Sequence, residues 1–306
     1  MALPASEVRT QHEQQKKKHW SMKYMKNKLF GYVCLSSALF LGIALFSIVI
    51  FISQTGFLVF KDVSWKEFFF SATWEPYEGK YGAAVFIAGT LYLTFLTLLI
   101  STPIALAVAI FIAEIAPSWL KNVMRPMLDL LVGIPSIVYG YLGLTILLPF
   151  IREKTGALVG DGFLAAALVL TLMILPTITR ISDDAICAVP NYLREAGYAL
   201  GSTKLQVISR IVLPAARSGI FTAIILGMTR AIGETMAVVM VIGNTAQFGW
   251  DLITPTSVLT SNIVMQIINV EFHSTWNYAL YMMAFLLLFI SLVLIVIIRK
   301  LRPKGE

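Results

Sequence analysis

Uninterrupted apolar runs, longer than any soluble core helix needs, restrict this chain more than any other feature. The first, residues 29–53, contains no charged side chain, and about 20 such residues suffice to cross a hydrocarbon core about 30 Å thick. Lipid offers backbone N–H and C=O groups no partner, so a run of this kind must close its hydrogen bonds on itself as a helix. A second run, residues 83–113, is overlong and carries Pro103, which predicts a tilted or kinked span. Further spans are expected over 126–150, 163–181, 218–243 and 278–298. The fold class is therefore an all-α polytopic membrane protein with six transmembrane helices. Composition agrees: 58% of residues are hydrophobic and 13% charged, against roughly 45–50% and about 25% in soluble domains. An ordinary soluble enzyme is excluded, and six spans in 306 residues leave loops, not a separate soluble domain.

Charge fixes the expected orientation. The net charge of +7 would suggest nucleic acid in a soluble chain, but here Lys and Arg flank apolar runs, where the bilayer accounts for them. No nucleic-acid partner is expected; membrane lipid is. With the N-terminus inside, a basic tail (residues 1–28), the turn with Lys121 and Arg125, the stretch 182–217 with Arg180 at its entrance, and a second tail (residues 299–306) hold 18 of the 24 Lys and Arg. Five lie on the opposite side and one, Arg230, within a span. Both termini are accordingly expected in the cytoplasm. Residues 29–298 form the membrane domain.

Two outer loops are long. Residues 54–82 contain Trp65, Phe68, Phe69, Phe70, Trp74, Tyr77 and Tyr81, which reads as an aromatic belt at headgroup depth. Residues 244–277 include a more apolar piece, 257–270, which is either a short helix facing a partner or a connector. Cys34 and Cys187 form no motif, and His12, His19 and His273 are scattered, so neither a disulfide framework nor a metal site is expected. Glu114 and Asp129, near the inner ends of their spans, read as interface carboxylates, and Asp183-Asp184 as a solvated face. Gly140 and Gly143 read as helix-packing contacts.

The stretch 182–217 is too long for a turn and too polar to cross. Pro190-Asn191 starts a short helix over 192–200, and Gly201 supplies a left-handed terminator. Thr203 with Gln206 offers a capping box for a second helix running to Pro214. Glu195-Ala196-Gly197, then Gly201, then Ile211, Leu213 and Pro214 resemble the EAA loop (EAA-x3-G-x9-I-x-LP) of ATP-binding-cassette importer permeases, with Gly197 replacing the second Ala. The resemblance implies a type I importer permease fold and a coupling role for these seven residues against a separate ATPase. No G-x-x-x-x-G-K-[ST] loop occurs in the chain, so nucleotide is expected on that partner. The chain itself is expected to be a transport subunit, not an enzyme, with no cofactor of its own; ATP and Mg belong to the ATPase.

Inside the fifth span, Arg230 and Glu234 are four residues apart and, on a continuous helix, share a face. Ionisable groups at such depth are functional hypotheses by default. Two roles fit: a structural ion pair, or an anion site in which the guanidinium fork meets phosphate or carboxylate oxygens. The segment Arg230-Ala231-Ile232-Gly233-Glu234-Thr235-Met236-Ala237-Val238, with Gly133-Ile134-Pro135-Ser136 in the third span, resembles the phosphate-specific transport permeases over residues 91–298, and Met-Ala-Val after the shared core resembles their PstC branch. The resemblance implies a bacterial inner-membrane permease that passes inorganic phosphate inward, with Arg230 and Glu234 in the translocation path. It also implies a PstA-like second permease, two ATPase subunits and an extracytoplasmic phosphate-binding protein. A sulfate or molybdate permease is the alternative within the class, and an ATP-independent ion-coupled transporter the alternative outside it.

Overall fold

Proline and glycine decide where the apolar runs stay straight, bend or stop. The computed structural model describes the backbone of residues 5–249 and 251–301 and the side chains of residues 28–249 and 251–300. The side chains of the basic tail before Lys28, and residues 302–306 of the second tail, lie outside the described residues. The chain divides into two units, Met1–Gln54 and Thr55–Glu306. Helix α1 (Ala5–Phe57) contains the first apolar run and continues beyond it.

In the second unit, a short turn (Leu58–Lys61) and α2 (Trp65–Phe70) precede a hairpin of β1 (Trp74–Glu75) and β2 (Lys80–Tyr81), paired antiparallel. The 54–82 loop is thus a folded cap, not only an aromatic belt: Phe68, Trp74 and Tyr81 are buried in a cluster with Leu280 and Met283, while Phe70 and Tyr77 stay exposed. Burial of three aromatics, each worth roughly 1.5–3 kcal/mol or more, holds the cap together.

α3 (Ala84–Ile110) continues through a π-helical turn (Phe111–Ile115) as one span despite Pro103. The 126–150 run, by contrast, is not a single straight span. α4 (Ser118–Val132) and α5 (Ser136–Leu142) meet at Gly133-Ile134-Pro135, where the chain bends by 93° between Ser118–Val132 and Ser136–Thr155. Pro135 lacks an N–H and disfavours helical backbone in the residue before it, which ends α4. The Tyr139 hydroxyl donates to the Leu131 carbonyl at 2.9 Å across the corner. α5 passes through a second π turn (Gly143–Leu147) into α6 (Leu148–Thr155). The described residues hold five helices long and apolar enough to cross a membrane, six with the bent pair counted.

α7 (Phe163–Cys187) is the central, most buried span and outruns its expected end at residue 181 by nearly two turns. It packs on α3, α4 and, further along, α10 (Leu213–Gly233). After α7 come α8 (Asn191–Ala199) and α9 (Lys204–Val207), and from Lys204 through a third π turn (Ile208–Val212) to Gly233 the chain is one helix. The second helix of the 182–217 stretch therefore does not stop at Pro214. That residue sits in the first turn of α10, where a missing N–H is tolerated.

The fifth span is shorter than expected at its other end. α10 stops at Gly233, Glu234 adopts extended backbone (ψ 128), and a single turn, α11 (Met236–Val239), follows before the chain leaves helical structure. Within 244–277, α12 (Leu259–Gln266) is buried at its start against α3 and α13 (Thr275–Leu301), so it completes this chain's own core. Close approach explains the third-span glycines: a Cβ at Gly140 would lie 2.9 Å from Ala237 Cα, and one at Gly143 2.7 Å from Val169 and Val241 methyls.

Candidate functional site

Two regions carry the residues singled out from the sequence. The first is the broken end of α10. Arg230 lies one turn before the break, and its Nη1 donates to Thr177 Oγ1 at 3.1 Å. Thr177 is close to the midpoint of α7, so the guanidinium is held deep between the two central helices.

The expected pairing of Arg230 with Glu234 does not occur: among the described residues no ion pair joins them within 4.0 Å. The i,i+4 argument needs continuous helix, and the chain turns extended at Glu234. Glu234 Oε1 instead accepts the Ala237 N–H at 3.2 Å at the start of α11, and its backbone carbonyl accepts the Thr260 hydroxyl at 3.1 Å. Glu234 shares a narrow cleft with Thr90, Thr94 and Thr260. Arg230 is left with a neutral hydroxyl partner and, among the described residues, no carboxylate. A half-buried guanidinium in this state keeps donors with the geometry to meet carboxylate or phosphate oxygens.

The second region is the α8–α9 knuckle. Gly201 has φ +75, Ser202 N–H donates to the Gly197 carbonyl and Gly201 N–H to that of Tyr198, which is the Schellman closure. Thr203 and Gln206 form the reciprocal capping box, with Thr203 N–H donating to Gln206 Oε1 at 2.9 Å and Gln206 N–H to Thr203 Oγ1 at 3.4 Å. Glu195 and Ala196 face outward and Gly197 inward, where a Cβ would approach Ile211 Cδ1 to 2.6 Å and Val207 Cγ2 to 3.0 Å. Leu213 is half-buried and Pro214 exposed. Around the glycine, Leu200 (86% exposed) and Leu205 (74%) project apolar side chains away from the bundle.

Ion pairs not foreseen from the sequence brace the same end of the molecule. Asp183 is fully buried, not solvated; Arg125 of α4 grips it in a fork at 2.8 and 3.0 Å, and Arg180 adds a contact at 3.3 Å while also reaching Asp129 and Asp184. Glu114, in the π turn after α3, is nearly buried and receives Arg194 Nη2 at 2.8 Å and Nε at 3.1 Å. Sequence spacing offers no signal for either pair, since 58 and 80 residues separate the partners. Thr177 also escaped notice, because a threonine in a span is unremarkable until its neighbour is known.

A bent third span, a broken fifth span and a knuckle between α7 and α10 sit in a multi-pass bundle of apolar helices, and the family match makes that bundle an inner-membrane transport permease. The chain belongs to the family described as binding-protein-dependent transport system inner membrane component, whose model matches residues 102–304. It is 43% identical to the probable ABC transporter permease protein YqgH of Bacillus subtilis, over 88% of each chain. It is 38% identical to the phosphate transport system permease protein PstC of Xylella fastidiosa, over 76% of this chain and 77% of that one. Among solved structures it shares its fold with a bacterial alginate ABC transporter (TM-score 0.63, 14% identity, 96% of this chain and 99% of that one) and with the MetNI methionine ABC transporter (TM-score 0.52, 24% identity, 70% and 89%).

Proposed function

We propose that this chain is the PstC-like permease subunit of an ATP-driven importer of inorganic phosphate. The observation that carries the reading is Arg230, a cation deep in the bundle, tethered by a threonine hydroxyl and, among the described residues, without a carboxylate. Relatives named for phosphate transport, such as the Xylella protein, support the choice of anion. A phosphate released into the path sheds water, and a fixed guanidinium offsets part of that cost. Thr177 fixes the fork without neutralising it, so the charge stays available to the passing anion. Glu234 keeps the break in the fifth span by capping α11, leaving room beside the guanidinium.

In this reading the complex contains a PstA-like second permease, two ATPase subunits that hold ATP and Mg, and an extracytoplasmic phosphate-binding protein. Glu195, Ala196, Gly197, Gly201, Ile211, Leu213 and Pro214 build the surface that meets an ATPase, with Leu200 and Leu205 as its apolar contacts. Both termini and the knuckle face the cytoplasm, and the hairpin cap faces outward. The chain performs no covalent chemistry.

Reconstituted complex decides the substrate: ATP hydrolysis is expected to rise with phosphate-loaded binding protein and phosphate to accumulate in the lumen of vesicles whose binding-protein side faces the medium. Stimulation by sulfate or molybdate carriers alone would reassign the anion. Uptake by the purified chain alone, driven by an ion gradient, would refute the ATP-driven reading. Orientation has its own check. Tyr77→Cys, at a 93% exposed hairpin position, should label with an impermeant thiol reagent from outside intact cells, and Ser202→Cys should not; the reverse pattern overturns both the topology and the coupling surface.

A further inference from the structure

The knuckle helix α8 is tied to the spans by one arginine. Arg194 sits immediately before the Glu195-Ala196-Gly197 motif and is largely buried. Its Nε and Nη2 both reach Glu114 Oε1, at 3.1 and 2.8 Å; Nη2 also donates to the Ile186 carbonyl at 2.9 Å, and Nη1 to the Val189 carbonyl and, at 3.4 Å, to Asn191 Oδ1. One side chain thereby joins α8, the end of α7 and the end of α3. Glu114 lies in the π turn Phe111–Ile115, and on its other side α8 rests through Gly197 against Ile211, in the π turn Ile208–Val212. π turns are locally deformable, with fewer well-aligned backbone bonds than α-helix, and they recur at functional positions.

We infer that Arg194, with Glu114, is a positioning pair that transmits displacement of the knuckle to α3, so that movement imposed by an ATPase on α8 is delivered to the transport path and not absorbed in the loop. The inference rests on the coupling reading above. An apolar cluster of Ala109, Ile186, Val207 and Val212, with Leu193 of α8 against it, seats the knuckle; the charge pair adds a directional tie, two guanidinium donors converging on one carboxylate oxygen, which fixes orientation in a way apolar contact does not. α3 carries Thr90 and Thr94 into the cleft that Glu234 lines, so a displacement passed to α3 reaches the neighbourhood of the break in the fifth span.

The test is phosphate moved per ATP hydrolysed in the reconstituted complex with its partner permease, ATPase and loaded binding protein. Glu114→Gln removes the charge but keeps shape and an acceptor oxygen, and leaves Arg194 bonded to the Ile186 and Val189 carbonyls; Arg194→Gln removes the whole tie. Both are expected to keep the ATPase bound and stimulated hydrolysis within about twofold of wild type, while the transport ratio falls about tenfold for Arg194→Gln and less for Glu114→Gln. Arg194→Lys, a point charge without the fork, should fall between wild type and Arg194→Gln. The double variant should be no worse than Arg194→Gln, because one strut cannot be cut twice. An unchanged ratio in Glu114→Gln and Arg194→Gln overturns the inference. So does a loss of assembled complex that tracks the loss of transport across all variants, which assigns the pair to packing. Failure of the coupling reading looks different, since wild-type complex would then move neither phosphate, sulfate nor molybdate at the expense of ATP. Should wild type move sulfate or molybdate instead, the ratio is read on that anion.

Discussion

Two arginines, Arg230 and Arg194, show opposite solutions to the burial of a guanidinium. Arg194 has a carboxylate, two backbone carbonyls and an amide oxygen around it, and nothing is left for a ligand. Arg230 has one threonine hydroxyl. Full satisfaction makes a charge structural, because removing its partner strands it in a low-dielectric site at a cost of roughly 3–5 kcal/mol. Partial satisfaction keeps the donors available. The difference separates a guanidinium whose donors are all spent on holding geometry from one that keeps donors to spare.

The largest expected effect tests the open arginine. Arg230→Gln should leave assembly and basal ATP hydrolysis close to wild type and reduce phosphate uptake by roughly two orders of magnitude or more, the loss of a charge-assisted contact worth about 3 kcal/mol at the crossing. Arg230→Lys should retain intermediate uptake, since it keeps charge without the fork. Loss of assembled protein in step with uptake would make Arg230 structural and erase the contrast with Arg194. Glu234→Gln should be milder than Arg230→Gln, because the amide oxygen can still accept the Ala237 N–H and no ion pair is lost. Equal damage from the two changes would restore the ion-pair reading that the break after Gly233 removed.

At the knuckle, Gly201→Val is the sharper instrument. The glycine holds φ +75 with open space around its α-carbon, so the substitution meets no neighbour and acts through the backbone alone, at roughly 1–2 kcal/mol. A valine would push the turn between α8 and α9 out of the left-handed region and misdirect Leu200 and Leu205. Pull-down of the ATPase with solubilised permease should weaken several-fold, with the spans still inserted. Undiminished ATPase retention and uptake would remove the knuckle from the mechanism.

How much of this was legible follows from which interactions are local. Gly201, the Thr203 and Gln206 box and the apolar spans depend on neighbours within a few residues, and the structure forms each of them. The Arg230 and Glu234 pairing also looked local, yet it failed because it assumed unbroken helix; the run Gly233-Glu234-Thr235 contains no proline to announce the break, and one partner of Glu234 there, Thr260, lies far along the chain. The same limit hid Asp183 and Glu114. Asp183 reads from sequence as part of a solvated face and Glu114 as an interface carboxylate, until tertiary packing brings Arg125 and Arg194 onto them. The bend at Pro135 was visible as a residue but not as a 93° corner, because a proline in an apolar run is equally compatible with a span that continues through it, as Pro103 in α3 demonstrates.

The smallest expected effect concerns Gly197, where this chain departs from the EAA pattern. A Cβ there would meet Ile211 Cδ1 at 2.6 Å and Val207 Cγ2 at 3.0 Å. The closer atom is the tip of a flexible side chain, and Ile211 is half-buried, so a rotamer change relieves most of the overlap at about 0.5–1.5 kcal/mol. Against that, alanine gains about 0.5–1 kcal/mol over glycine within helix α8. The two terms nearly cancel, and Gly197→Ala should change the melting temperature of the solubilised permease by no more than a few degrees and leave phosphate uptake within about twofold of wild type. Gly197→Val adds branching at the same point, where Val207 cannot withdraw, and should lower both. If Gly197→Ala instead uncouples hydrolysis from transport while the fold persists, then the seat of α8 on the Ile208–Val212 turn, and not the Arg194 tie to Glu114, is where displacement of the knuckle enters the spans.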